Sequence, residues 1–273
     1  MQSSRRCHGG CIVQQIINLD RYPLHSPDSS DWQALVGDCR EELAANGLFN
    51  LPGFLRPRTA DVAADELRQL LRESAFTHAR EHNIYFKQAI EDLPDDHPAL
   101  TRFRTVNHTI CADQMRNSFV TRLYEWPGFA AFIAAAMHKP NLYTMADPLA
   151  RVNVMTYRDG EALNWHFDRA EFTTTLLLQA PLAGGEFEYV KDLRSDADPN
   201  YDGVASLVRG ELPTVLMPLD AGTLTVFRGK NTAHRVTPVE SNLERIIAVF
   251  SFYENEGVRF SEEERLGFYG RSH

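Results

Sequence analysis

Apolar positions recur in two regimes along the chain. Up to about residue 141 they follow helical spacing. Trp32, Leu35, Val36, Cys39 and Leu43 form one stripe, with Ser29 and Ser30 as caps and Gly47 as a stop. Ala63, Leu67, Leu70 and Leu71 form a second, capped near Thr59. Phe129, Phe132, Ile133, Ala136 and Met137 form a third, beginning after Pro127 and ended by Lys139-Pro140-Asn141. Leu48-Phe49-Asn50-Leu51 reads as a short strand before Pro52-Gly53. Residues 75–115 fit neither period and contain the loop-like Asp95-Asp96-His97-Pro98.

From residue 142 the period shortens towards two. Arg151 to Tyr157, Thr173 to Gln179, Glu186 to Val190, Thr223 to Phe227, His234 to Val239 and Arg245 to Tyr253 read as strands. Asp159-Gly160, Gly184-Gly185, Ala221-Gly222 and Arg228-Gly229 punctuate them. Short strands with frequent turns predict a sandwich or barrel rather than a parallel sheet, so the class is α+β. One domain is expected: a flexible leader over 1–12, a helical support region over 13–141, a β core over 142–256 and a tail over 257–273. The polar stretch 191–213 interrupts the strand rhythm and reads as a lid-like insertion or a solvated connector.

With 273 residues and 43% hydrophobic content, the chain can bury a large core. A net charge of −9 and dispersed arginines exclude a basic nucleic-acid footprint. No stretch approaches the ~18 apolar residues of a membrane span. Four cysteines, Cys7, Cys11, Cys39 and Cys111, are too few for a disulfide scaffold, and no apolar export segment follows Ser4-Arg5-Arg6, so a cytoplasmic location is expected.

Candidate chemistry concentrates in Asn164-Trp165-His166-Phe167-Asp168. Side chains two residues apart on an extended segment share a face, so His166 and Asp168 can reach one ion. His234, in a later strand, supplies a third ligand, and two histidines with one carboxylate suit non-haem Fe(II) with open positions. Arg245 begins a strongly apolar strand, where an unpaired guanidinium is costly to bury and its planar fork suits a carboxylate. Its bland alternative is a local ion pair with Glu240 or Glu244. A zinc hydrolase could use the same three ligands but has no need for Arg245. A non-catalytic β-sandwich binding module would not require all four positions.

The stretch from Arg151 to Tyr253 resembles the double-stranded β-helix core of the Fe(II)/2-oxoglutarate-dependent dioxygenases. Gly184-Gly185-Glu186-Phe187, Gly222-Thr223-Leu224-Thr225-Val226-Phe227 and His234-Arg235-Val236-Thr237-Pro238-Val239 carry that resemblance beside the four site residues. It implies a jelly-roll core with the N-terminal helices packed on one side. It also implies His166, Asp168 and His234 as catalytic metal ligands, Arg245 as the residue binding 2-oxoglutarate, and Fe(II), 2-oxoglutarate and O₂ as cofactor and cosubstrates.

Asn164 to Asp168, followed by Glu171-Phe172-Thr173-Thr174-Thr175-Leu176-Leu177-Leu178-Gln179, resembles more narrowly the branch of free-amino-acid hydroxylases and radical halogenases. Halogenating relatives replace the ligand carboxylate with a small residue; Asp168 therefore implies hydroxylation. The expected partner is a small polar molecule, an amino acid or derivative, with room for a homodimer. A phytanoyl-type or nucleotide-directed hydroxylase is the nearest rival. Arg102 and Arg104 are candidates for a substrate carboxylate and Asp147 for an amine, with His108 and Asp113 as further contributors. Arg169 stands where lysine-acting relatives often carry an acidic residue, which argues against lysine itself.

Overall fold

The computed structural model describes residues 16–91 and 93–273. The leader and its two cysteines lie outside the described residues. Ser29 caps helix α1 (Ser30–Asn46) by accepting the Trp32 amide at 3.2 Å, and Gly47 ends it at φ 78, a left-handed conformation that glycine adopts without penalty. Trp32, Val36, Cys39 and Leu43 occupy its buried face. Strand β1 (Leu48–Leu51) follows directly, and helix α2 (Pro57–Glu73) starts two residues before the expected cap.

The unassigned 75–115 region forms two strands, β2 (Phe76–His82) and β3 (Phe103–Cys111). They pair antiparallel from Phe76 opposite Thr109 to His82 opposite Phe103. Helices α3 (Phe119–Tyr124) and α4 (Pro127–Ala136) come next, then the short β4 (Tyr143–Thr144). The region 13–141 is therefore not purely helical, because three of its strands belong to the main sheet.

The remaining strands are β5 (Val152–Tyr157), β6 (Leu163–His166), β7 (Thr173–Gln179) and β8 (Phe187–Val190). Helix α5 (Tyr201–Val208) precedes β9 (Val215–Met217), β10 (Leu224–Phe227), β11 (Ala233–Val236), β12 (Arg245–Phe250) and β13 (Phe252–Tyr253). Helix α6 (Glu262–Tyr269) gives the expected tail a folded end, capped by Ser261 and Glu264. A seven-stranded sheet runs β1-β10-β7-β12-β5-β3-β2, and a four-stranded sheet runs β6-β11-β8-β9. Every pairing between these strands is antiparallel. This is the α+β double-stranded β-helix architecture, with β1 to β3 widening its larger sheet.

Strand alternation separates the sheet's two faces. Ile110, Val152, Val154, Leu176, Leu178, Val226, Ile246 and Ala248 share one cluster with Leu67 of α2 and with Phe129 and Phe132 of α4. Both phenylalanines are fully buried, each contributing about 1.5–3 kcal/mol. The opposite face carries Tyr157, Leu177 and Ile247, packed with Val239, and looks into the jelly roll. The 191–213 excursion is no open loop. Leu193, Val204 and Leu207 pack with Trp165, Phe167 and Ala233, covering the outside of the smaller sheet. Among the described residues, no helix is long and apolar enough to cross a membrane.

Candidate active site

Strands β6 and β11 place the first two ligands, because His166 and His234 are direct partners in the antiparallel register. Their ring centroids are 4.1 Å apart. His166 Nδ1 lies 2.8 Å from the Asn164 carbonyl and His234 Nδ1 lies 3.0 Å from the Thr232 carbonyl. A carbonyl only accepts, so both Nδ1 atoms carry hydrogen and both Nε2 lone pairs are free for a metal. Burial foremost, with His234 beside it, lowers the pKa of His166 and favours the neutral, ligating form.

Asp168 lies just beyond the end of β6 rather than within it. Its backbone amide bonds to the Gly229 carbonyl at 3.0 Å instead of joining the ladder. Its Oδ1 is 3.4 Å from His166 Nε2 and 3.5 Å from His234 Nε2, while Thr173 Oγ1 donates to Oδ2 at 2.6 Å. Burial opposes ionisation here, but the positive charge and Nε2 hydrogens of the two rings, when protonated, outweigh it and hold the carboxyl pKa well below the ordinary range; a divalent cation bound to the neutral rings would act in the same direction. Candidate ligand atoms from the three side chains lie within 4.8 Å of one another. Two neutral imidazoles and one carboxylate are a donor set that fits Fe(II).

Arg245 opens β12 opposite Tyr157 and is 2% exposed. Its Nε donates to the Gly185 carbonyl at 3.0 Å, and its buried Nη1 has no hydrogen-bond partner. Burial pushes its pKa down to about 10, with Tyr157 as the opposing influence. Glu244 instead accepts from Thr156 Oγ1 at 3.0 Å, and neither it nor Glu240 forms an ion pair with Arg245. A buried guanidinium nitrogen without a partner is a donor suited to a carboxylate. Phe187, centred 5.7 Å from the His234 ring, lines a cavity of about 190 Å³ that Arg245 also lines. A groove of about 440 Å³ between α4 and β4 includes none of these residues.

The sequence candidates for substrate contact fare differently. Asp147 is completely buried and accepts from the Leu149, Ala150 and Phe260 amides and from Arg265 at 2.9 Å. Burial works against its charge, but these donors outweigh it and lower its pKa. It is a structural anchor for the C-terminal segment, so the amine-binding expectation is corrected. Arg102 and Arg104 are exposed. Arg102 donates to the Glu81 carbonyl. His108 contacts Glu161 and Thr77, and Asp113 takes a two-pronged pair from Arg271. Arg169 is exposed, 2.9 Å from Glu264 and above the Phe268 ring.

Several residues near the metal site were not anticipated. Arg80 is the register partner of Thr105, whose side chain reaches inward to His82 Nε2 and the Asn164 amide. The Arg80 guanidinium stacks on Phe86 at 4.4 Å, its buried Nε has no partner, and no carboxylate pairs with it among the described residues. Phe86 adopts φ 55, stacks on His82 at 4.4 Å and turns an edge towards His166 at 6.1 Å. A bulky residue in that conformation marks a local constraint beside the site. Gly229 is a further surprise. A Cβ there would stand 2.7 Å from Asp168 Cγ, and closer still to Oδ2.

Solved structures share the architecture. The epimerase SnoN of nogalamycin biosynthesis aligns at TM-score 0.58 and 18% identity, covering 81% of this chain and 83% of that one. AviO1 from Streptomyces viridochromogenes aligns at TM-score 0.53 and 15% identity, covering 81% and 96%. An oxidoreductase of the 2OG-Fe(II) oxygenase family from Burkholderia pseudomallei aligns at 0.50 and 16%, covering 82% and 92%. No curated relative matches the sequence. A family model described as Halogenase D matches residues 31–264, nearly the whole chain including every ligand and Arg245, and the protein therefore belongs to that family.

Proposed function

We propose that the protein is an Fe(II)- and 2-oxoglutarate-dependent hydroxylase of a small polar substrate bearing a carboxylate, a free amino acid or a close derivative. The observation that carries this reading is Asp168. It completes the ligand set with both histidines, and its outer oxygen is engaged by Thr173. The family's description names halogenation, which supports a second reading. Halogen transfer needs a metal position for the halide, and here a carboxylate held in place by a hydroxyl occupies the third ligand position.

When bound, Fe(II) and 2-oxoglutarate supply O₂-derived oxidation of an unactivated C–H bond, with the keto acid leaving as succinate and CO₂. His166 and His234 would hold the ion through Nε2, their rings fixed by backbone carbonyls. Arg245 would hold the cosubstrate's far carboxylate through the otherwise orphaned Nη1. On the substrate side, Arg80 offers a guanidinium with no acidic partner among the described residues, which suits a carboxylate. Phe86 covers one face of that guanidinium and approaches His166.

The test is product analysis after anaerobic loading with Fe(II), addition of 2-oxoglutarate, chloride and a panel of amino acids, then exposure to O₂. Succinate formation coupled to a product 16 mass units heavier (one oxygen atom) supports hydroxylation. A chlorinated main product overturns it in favour of the second reading.

A further inference from the structure

Beside the metal loop lies the C-terminal helix. Arg169, the residue after Asp168, reaches Glu264 of α6 at 2.9 Å and lies above the Phe268 ring at 5.4 Å. Two ion pairs anchor the segment behind it: buried Asp147 with Arg265 at 2.9 Å and Asp113 with Arg271 at 2.7 Å. Gly270 packs so closely on the Phe76 ring of β2 that a Cβ there would fall 2.9 Å from Cζ. Helix α6 is thus a fixed wall beside both the metal loop and the strand carrying Arg80.

Two arginines beside this wall, Arg80 and Arg169, have one ion-paired acid between them among the described residues, Glu264. Arg80 has no acidic partner among the described residues and feels the charge of Arg169. Among the described residues Glu264 is the only acid paired with Arg169, and its second oxygen is occupied by the Ser261 amide at 2.8 Å. Of the other acids nearby, Glu171 and Glu254 both bind Lys139, while Glu262 and Glu263 in the first turn of α6 form no ion pair with Arg169. Arg169 keeps most of its surface in solvent, with 73% side-chain exposure, so its remaining donors are available. A ligand with a distal ammonium would meet a guanidinium here; one with a distal anion would meet a ready fork.

Building on the hydroxylase reading above, we infer that the substrate is anionic at both ends. Arg80 takes one carboxylate, and Arg169 takes the distal anion in exchange for Glu264. The chemical class is an acidic α-amino acid or another small dianion, including one whose far group is a phosphate.

The experiment is calorimetric binding to full-length protein loaded with Zn(II) and saturating 2-oxoglutarate, which allows no turnover. The probes are L-aspartate, L-glutamate, their amides, L-lysine, O-phosphoserine, and dicarboxylates lacking the amine. At least one dianion should bind roughly tenfold or more tightly than its amide or lysine, and the panel tells a carboxylate from a phosphate. Arg169→Glu should abolish that preference, Arg169→Lys should largely retain it, and Glu264→Gln should tighten dianion binding several-fold by removing the internal competitor. Lysine or an amide binding as tightly as every dianion overturns the inference, as does a preference unchanged in Arg169→Glu. If Arg169→Glu fails to fold, the Arg169→Lys and Glu264→Gln arms decide. Failure to bind metal and 2-oxoglutarate counts against the hydroxylase reading itself. Normal cofactor binding with selectivity for neutral or basic ligands overturns only this inference.

Discussion

Replacing Gly229 with alanine should damage the metal centre without touching a ligand. The added methyl would lie 2.7 Å from Asp168 Cγ and 2.9 Å from Asp168 Cβ, so either the loop or the carboxylate must move. The loop is held by the Gly229 amide on the Phe227 carbonyl at 3.0 Å, the Arg228 amide on Gly47 at 2.9 Å, and the Gly229 carbonyl under the Asp168 amide at 3.0 Å. The Asp168 side chain is held by one protein donor, Thr173. The carboxylate is therefore the part that yields. Overpacking of this kind costs about 1–3 kcal/mol, and displaced support of a ligand typically lowers metal affinity about 10–100-fold. Co(II) titration of the metal-free protein, followed by its visible absorption, measures the affinity, and a parallel urea melt measures stability. An alanine variant binding Co(II) within about twofold of the parent would refute the claim that Gly229 exists to seat Asp168.

Three further outcomes follow from the packing. Asp147→Asn removes the charge from a fully buried carboxylate and leaves the partly exposed Arg265 uncompensated, so a urea melt should show a loss of about 3 kcal/mol, the lower end for breaking a buried pair; a loss below about 1 kcal/mol would count against the anchoring role. Gly37, inside α1 with open space around its Cβ position, should accept alanine with a gain of about 0.5–1 kcal/mol; destabilisation on melting would contradict this. His78 and His82 both have pKa values pushed down to about 4, burial being the main cause. On unfolding they regain ordinary basicity, so the unfolded state binds more protons between about pH 6.5 and pH 4. Their contribution is complete above that window, declines as pH falls through it and levels off below. Urea midpoints across this range should depend less on pH in a His78→Gln/His82→Gln variant; an unchanged dependence would sink the assignment.

The clustering of His166, Asp168 and His234 and the buried position of Arg245 were legible because they depend on residue type and spacing within short strands. The hairpin β2–β3 was not, for a physical reason. Its inward face carries polar His78, Arg80 and His82 and its outward face carries Thr77 and Glu81, so no apolar alternation marks it. Arg102 and Arg104 lie beside or in β3 and are exposed; the arginine on the inward face of the hairpin is Arg80, opposite Thr105. Asp147 misled because its partner, Arg265, lies in a segment read as a plain tail. Gly229 was read as turn punctuation, and only the close approach of Asp168 gives its reason.

Anaerobic titration of the Fe(II)-loaded protein with 2-oxoglutarate, followed by the visible charge-transfer absorption of the chelate, tests the central claim most directly. The account predicts a saturable band in the parent and a much weaker 2-oxoglutarate affinity in Arg245→Met, with Fe(II) binding retained. In His234→Ala the band should be lost. Absence of the band in the parent, or equal affinity in Arg245→Met, would contradict it.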